Sequence, residues 1–400
     1  MKWLAIAAAT IGLLLVPVLF GDRFVFVFIQ MLTASLFALA FNLLWRHTRL
    51  LSFGHAAHFG AGMFATIHLM RLAEANVLAV PLPLIPLGGA LAACLLGVVA
   101  GYFATVRTGT YFAMITLAVA ELIYALGSQW EALFGGEAGL SSMRLPWAGW
   151  TFATTGEVYY IVLGWVVPAA AALYFVGLTP LGRLAFAIGD DETRVRFLGY
   201  NAHRAKTMVF ALSAFHAGLA GGLLALVNEN VNYGAFGGTV SASVVLHTFI
   251  GGSGVFLGPV IGAAGLTLLG ALLSDVTRLW LLYVGAAFVL MMLYSPEGLA
   301  ALFIANLRLW RELPWPSLVR LNLLGGLAVL AFVCTTVFVV ELAARALTEG
   351  ASATAVVLFG TTWSLSSPVT WAIPIALALA GHVALKAAIR QRRRLEDAVA

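Results

Sequence analysis

The feature that most constrains this chain is the recurrence of long apolar runs with almost no charge. They lie near residues 3–20, 24–45, 84–106, 109–127, 157–177, 207–227, 257–274, 279–294, 321–341 and 367–388. A helix rises 1.5 Å per residue, so about 20 apolar residues cross a hydrocarbon core of about 30 Å. Of the 400 residues, 62% are hydrophobic and only 10% are charged, against about a quarter charged in ordinary soluble domains. No soluble fold of this length hides that much apolar surface. Lipid is the expected solvent, and the expected fold class is all-α: a polytopic transmembrane helical bundle.

Two segments interrupt this regularity. Residues 52–70 are apolar but carry Gly54, Gly60, Gly62, His55 and His58, which predicts a broken helix. Residues 242–251 reach only about 15 Å at 1.5 Å per residue, half a membrane. Gly251, Gly252, Gly254, Gly258 and Pro259 follow before the run at 257–274. The expectation is a short re-entrant helix and turn at membrane depth, buried in protein. Paired glycine-interrupted segments of this kind often line a translocation pathway. Ser52, Gly54, His55, His58, Gly251, Gly252, Gly254 and Pro259 are therefore the candidate pathway residues, with tight helix crossing as the structural alternative. Glu121, inside the run 109–127, joins them. A carboxylate at that depth is expected to face the bundle interior, partnered or in water.

The basic residues set an orientation. If the N-terminus is cytoplasmic and the spans alternate, seventeen basic residues fall inside, among them Arg46, Arg107, Arg183, Arg194, Arg196, Arg204, Lys206, Arg308, Arg311, Arg320 and the cluster Arg390–Arg394; five, Arg23, Arg71, Arg144, Arg278 and Arg345, fall outside. This follows the positive-inside rule and places both termini in the cytoplasm of a multi-pass chain in the plasma (inner) membrane. The apolar run at 3–20 is long, and Phe20-Gly21-Asp22 is a poor cleavage site, so the first run is expected to be retained as a helix. The net charge of +5 does not form a patch with interleaved aromatics, which argues against a nucleic-acid partner. Cys94 and Cys334 sit in apolar segments, no CxxC or HExxH spacing occurs, and neither a disulfide framework nor a metal site is expected. No GxxxxGK[ST] loop is present, so the chain lacks that route to nucleotide hydrolysis.

The inner loop 178–206 carries the most information. Asp190 or Asp191 can cap a short helix, acidic groups in its first turn suit the helix dipole, and Gly199 supplies a left-handed stop. The segment Asp190, Asp191, Glu192, Thr193, Arg194, Arg196 to Gly199 is too polar for lipid and is a candidate contact for a cytoplasmic partner; a solvated connector is the alternative.

This loop, Gly182-Arg183 through Ala187-Ile188-Gly189-Asp190-Asp191-Glu192 to Leu198-Gly199-Tyr200-Asn201, closely resembles a pattern of LivM-type permeases, subunits of branched-chain amino acid ABC importers. Three further stretches are similar to that family: Leu51-Ser52-Phe53-Gly54-His55-Ala56-Ala57; Gly109 to Ala118 with Trp130 and Gly135-Gly136-Glu137-Ala138-Gly139-Leu140; and Gly251-Gly252-Ser253-Gly254 with Gly258-Pro259 and Gly262-Ala263. The four lie in order over roughly residues 30–300. The resemblance implies a type II ABC importer permease core at 1–300. It implies a homologous partner permease, two cytoplasmic ATPases that use the ATP, and an external solute-binding protein, with membrane lipids around them. It implies no catalysis and no bound cofactor in this chain, and makes 190–199 the ATPase coupling helix. Gly189, His58 and Val195 depart from the family pattern. So does the stretch 301–400, read as a basic cytoplasmic linker (301–320) and an extension (321–400) of two spans and an Arg-rich tail.

The implied cargo is a branched-chain or hydrophobic amino acid, or a related small solute such as an amide or urea. A self-contained secondary transporter is the rival reading, but it needs an acidic relay and Glu121 stands alone. A membrane-embedded enzyme would need clustered polar catalytic groups, and none is seen. His216 and His247 read as interior histidines. Ala214, Gly218 and Gly222 make a small face for close helix packing. Trp130, Trp147 and Trp150 in the outer loop 128–156 read as interfacial anchors.

Overall fold

A computed structural model describes residues 2–274, 277–295, 297–312, 315–349, 355–358, 361–364 and 367–399. Much of the predicted outer loop 342–366, and the side chains of Arg308, Arg311, Arg345 and Arg392–Arg394, lie outside the described residues. The chain forms two compact units, 1–302 and 303–400.

The first unit is helical almost throughout. Its elements are α1 (Lys2–Leu19), α2 (Asp22–Thr48), α3 (His55–Glu74), α4 (Ile85–Ala104), α5 (Gly109–Gln129), α6 (Glu131–Phe134), α7 (Thr155–Leu178), α8 (Pro180–Asp190), α9 (Glu192–Phe197), α10 (Ala202–Asn228), α11 (Gly238–Gly251), α12 (Gly258–Leu273) and α13 (Trp280–Tyr294). Helix α14 (Gly298–Glu312) carries the division between the units. Two-residue strands β1 (Leu140–Ser141) and β2 (Asn230–Val231) pair antiparallel beside the ends of α3 and α10.

Helix α10 is the axis. It packs against α2, α3 and α4, and 83% of its most apolar window is buried, against 22% for α5. Small residues make this possible. A Cβ on Gly62 of α3 would collide with the backbone of Gly218, and one on Gly221 with the Phe59 carbonyl. Helices approach this closely only where side chains are absent.

Among the described residues, seven helices are long and apolar enough to cross a membrane: α2, α4 with its 3-10 lead Leu82–Leu84, α5, α7, α10, and two in the second unit. This is fewer than the runs read from sequence, for local reasons. Helix α3 has the length, but its histidines, Arg71 and Glu74 lower its hydropathy. Helices α11, α12 and α13 have 14, 16 and 15 residues.

Residues 52–70 are not a broken helix. The irregular part is residues 49–54, where Leu50 and Ser52 are buried, and α3 then runs unbroken through Gly60 and Gly62. Those glycines serve contact, not interruption: Gly60 lies against the Phe236 ring and Gly62 against Gly218. The second interruption forms as a helix–turn–helix, but α11 starts at Gly238, so it is longer than expected. Its turn reaches the basic end of the bundle, where Ser253 Oγ accepts from Trp45 Nε1 at 3.2 Å, next to Arg46. Gly251, Gly258 and Gly262 pack backbone on backbone there. Gly252 has φ +104 and is backed by the Glu297 carbonyl.

The second unit pairs two long helices, α15 (Trp315–Glu349) and α16 (Pro368–Val399), with the antiparallel strands β3 (Ala355–Leu358) and β4 (Thr361–Ser364) between them in sequence. Phe338 meets the edge of Trp363 at 5.1 Å between ring centroids.

Candidate functional site

The first candidate site is the connection between α7 and α10. Three side-chain caps shape it. Thr179 accepts from the Gly182 N–H at 3.2 Å and Pro180 opens α8. Asp191, extended at φ −155, ends α8 and accepts from the Arg194 N–H at 3.0 Å, starting α9. Asn201 accepts from the Arg204 N–H at 3.0 Å, starting α10. Each oxygen satisfies an orphan donor of a first helical turn. Gly199, at φ +87, reverses the chain between α9 and α10. Of the two predicted caps it is Asp191 that performs the role; Asp190 is the exposed last residue of α8.

Helix α9 is pinned to its neighbours. Val195 is buried with Ile188, Ala202 and Ala205. The Glu192 carboxylate accepts from Lys206 Nζ at 3.1 and 3.0 Å and from the Arg196 guanidinium. Lys206 is 1% exposed, at the root of α10. Burial opposes the charge on Glu192, but the hydrogen bonds and positive charges of Lys206 and Arg196 outweigh it. The carboxyl stays below its ordinary range. The other face of α9 is open: Thr193, Arg194 and Arg196 are exposed, and Phe197, Leu198 and Tyr200 are 87%, 71% and 55% exposed. Sequence reasoning missed these three. A phenylalanine at the end of a charged segment was the available signal.

The second candidate region is the interior around the start of α3. His55 Nε2 lies 2.8 Å from Ser213 Oγ, and Ser213 gives its only hydrogen to the Ala40 carbonyl. Nε2 of His55 is therefore the donor, and Nδ1 is an acceptor without a partner among the described residues. His58, 5.6 Å from His55 between centroids, has both ring nitrogens buried and unpaired, as are Ser52 Oγ and Thr66 Oγ1. Gly54 sits against the Thr116 carbonyl. Helix α11 joins this region through Ser241, which accepts from the Ala56 N–H at 3.1 Å. Ser52, Gly54, His55 and His58 are thus all buried at the start of α3, and Ser52 Oγ, His55 Nδ1 and both His58 nitrogens have no partner among the described residues. Gly251, Gly252, Gly254 and Pro259 form a separate turn toward the basic end.

Glu121 does not face the interior of this chain. It is exposed on α5 beside Gly238, with no hydrogen bond or ion pair among the described residues. The inward face of α5 is taken by Phe112, Ala113, Thr116 and Ala120, so the carboxylate falls on the outer face. Among the described residues no group of three His, Cys, Asp or Glu side chains is placed to hold a metal ion.

Residues 23–295 match the family described as "Branched-chain amino acid transport system / permease component". The chain is 28% identical over 249 residues to the "High-affinity branched-chain amino acid transport system permease protein LivM" of Escherichia coli (strain K12), covering 56% of this chain and 58% of that protein. It is 29% identical over 253 residues to the protein of that name in Salmonella typhimurium, covering 57% and 58%. A shorter stretch of 126 residues is 35% identical to the "Ribose import permease protein RbsC" of Haemophilus influenzae, 28% of this chain and 38% of that one. The chain thus spans little more than half the length of the LivM proteins it matches. No solved structure matches it significantly. With the family match covering well over half of a multi-pass helical chain, this protein belongs to the branched-chain amino acid transport system permease family.

Proposed function

We propose that this chain is the membrane-spanning permease subunit of an ATP-driven ABC importer for branched-chain or hydrophobic amino acids, or related small solutes such as an amide or urea. It works beside a homologous permease, receives solute from an extracytoplasmic binding protein, and takes force from two cytoplasmic ATPases that hydrolyse the ATP. The chain itself is not an enzyme and binds no cofactor. The basic end of the bundle faces the cytoplasm, with both chain termini. Residues 1–300 are the transport core, 301–320 a linker, and 321–400 an accessory helix pair.

The observation that carries this reading is the build of α9. A helix that only connects two spans needs no buried ion pair. Here Glu192 and Lys206 tie the segment to the root of α10, the most buried helix, while Phe197, Leu198 and Tyr200 stand free beside Arg194 and Arg196. An exposed aromatic and aliphatic tip ringed by charge suits a protein groove. We assign Asp190, Asp191, Glu192, Thr193, Arg194, Arg196 and Gly199 to the coupling helix. Closure of the ATPases would push this lever, and α10 would carry the displacement into α2, α3 and α4. Ser52, Gly54, His55 and His58, with Gly251, Gly252, Gly254 and Pro259, then belong to the elements that rearrange along the pathway.

Proteoliposomes test the reading. Uptake of leucine that needs the partner ATPases, ATP and the binding protein is the expected result. Uptake by this chain alone, driven by an ion gradient, would establish the secondary transporter instead. Charge reversal at Asp191 and Glu192 should uncouple ATP hydrolysis from transport, and full transport by that variant would remove the coupling role.

A further inference from the structure

Between α2, α11, α12 and α13 lies a cavity of about 390 Å³, within the size range of small-molecule sites, roughly 300–1,000 Å³. Its polar lining is Gln30, Ser243, His247 and Thr267, with Ser274 at one end. Leu246, Leu266, Val284 and Trp280 make apolar walls. At 1.5 Å per residue, Gln30 stands about 12 Å into α2 and His247 about 14 Å into α11. The two helices run side by side in the same direction, as the Thr248–Ala38 and Trp45–Ser253 hydrogen bonds show. The cavity therefore descends from the end opposite Arg46 toward the middle of the bundle.

Two of its side chains are unsatisfied. The Gln30 amide has no hydrogen-bond partner among the described residues, and His247 Nδ1 is buried without one. An amide and an imidazole left bare toward lipid would each cost on the order of 1–3 kcal/mol. Ser243, by contrast, is already paired to the Val240 carbonyl of its own turn. Hydrogen-bonding capacity thus stands idle at membrane depth, in the part of the bundle farther from Arg46.

We propose that this cavity is a wall of the solute pathway and a weak binding site for a small, net-neutral, amphipathic solute, closed on its open side by the partner permease. The claim rests on the importer reading above. The chemistry sets the class. The Gln30 amide donates and accepts, His247 Nδ1 is left to accept or donate according to the ring's tautomer, and the aliphatic wall and Trp280 take an apolar side chain. Among the described residues no charged side chain lines the cavity, so a solute of net charge would be desolvated there without compensation. A site with few polar contacts also releases its cargo, which conduction requires.

The test uses the assembled transporter with Cys94 and Cys334 replaced by alanine and a single cysteine placed by Ser243→Cys or, separately, Thr267→Cys. A membrane-impermeant thiosulfonate is added from the outside, with L-leucine as the probe, in the nucleotide-free and ATP-analogue states, and ATP-driven leucine uptake is measured on the same membranes. The expected result is modification in at least one state, slowed at least threefold by saturating leucine and unaffected by lysine. Absence of modification at both positions in both states, or modification that leucine leaves unchanged, overturns the site while uptake keeps the importer reading intact. If the Cys-free parent itself shows no ATP-dependent uptake, it is the importer reading that fails.

Discussion

Replacing Glu192 by alanine strands a buried ammonium. Lys206 Nζ lies 3.0 and 3.1 Å from the two carboxylate oxygens of Glu192, and the lysine side chain is 1% exposed against 19% for the glutamate. Removing one partner of a buried pair costs about 3–5 kcal/mol, because the remaining charge keeps its desolvation penalty and loses its compensation. Lys206→Met is the opposite perturbation. It removes the more deeply buried charge and leaves Glu192 with Arg196 and solvent, where an exposed pair is worth about 0.2–1 kcal/mol. The two variants should therefore differ sharply although they break the same bond, and the double variant Glu192→Ala/Lys206→Met should resemble Lys206→Met alone. If α9 were held only by the pair between Glu192 and Arg196, Glu192→Ala would cost about 0.5 kcal/mol at most. Hydrogen exchange of peptides spanning 190–206 reads the difference, since the Arg194, Val195 and Leu198 amides are bonded inside this turn. A loss of 3 kcal/mol corresponds to exchange faster by about two orders of magnitude. Equal rates in Glu192→Ala and Lys206→Met, or a change below threefold in the former, would refute the pinned-lever argument.

The same pair sets a pH dependence. The Glu192 carboxyl titrates below its ordinary value of 4.5 in the folded protein, so its contribution is present above that value and is lost as pH falls through the lowered one. Protection of the α9 amides should hold near neutrality and fall in acid, and Glu192→Gln should flatten that profile. Two glycine substitutions should act with opposite sign. Gly62→Ala drives a methyl into the Gly218 backbone and should cost about 1–3 kcal/mol, whereas Gly164→Ala enters open space within α7 and should gain up to about 1 kcal/mol. Thermal unfolding in detergent resolves both. Phe197→Ser with Leu198→Ser should leave the fold of the isolated permease unchanged and weaken pull-down of the ATPases at least tenfold; undiminished capture would remove the tip from the docking surface.

The charged loop was legible because its chemistry is local. Asp191 and Gly199 act within three or four residues of themselves, and spacing alone predicts a cap at Asp190 or Asp191 and a stop at Gly199; the Asn201 cap of α10 was not read from it. The partner of Glu192 was not legible, because Lys206 lies fourteen residues away across a turn and nothing in the spacing selects it over Arg194 or Arg204. Residues 52–70 misled for a related reason. Glycine in a water-exposed helix is a weak point, but in α3 Gly62 is where the Gly218 backbone arrives and Gly60 where the Phe236 ring does, and the helix runs on unbroken through both. Glu121 misled by rotation: its run marks a span, and only the burial of Phe112, Thr116 and Ala120 shows which way the carboxylate points.

That last failure is general for chains dissolved in lipid. In water, an apolar stripe identifies the buried face of a helix; in a bilayer both faces are apolar, and hydropathy marks the span without its orientation. Helices α5 and α10 have similar mean hydropathies, 1.6 and 1.8, yet 22% and 83% of their windows are buried. What separates them is size. Helix α10 carries Ala211, Ala214, Ala217, Gly218, Ala220, Gly221 and Gly222, whereas α5 presents Tyr111, Met114, Leu117 and Leu122 outward. Small residues concentrate where protein meets protein, and bulky ones are affordable where the neighbour is a lipid chain. On that criterion an exposed ionisable group on a bulky helix, such as Glu121, is the exception that needs a second protein or water beside it. It therefore marks α5 beside Gly238 as the first place to seek contact with the proposed partner permease: a Glu121→Cys cross-link to that subunit is the expected result, and a Glu121→Cys thiol alkylated by a lipid-soluble maleimide as fast in the assembled transporter as in the isolated chain would end the argument.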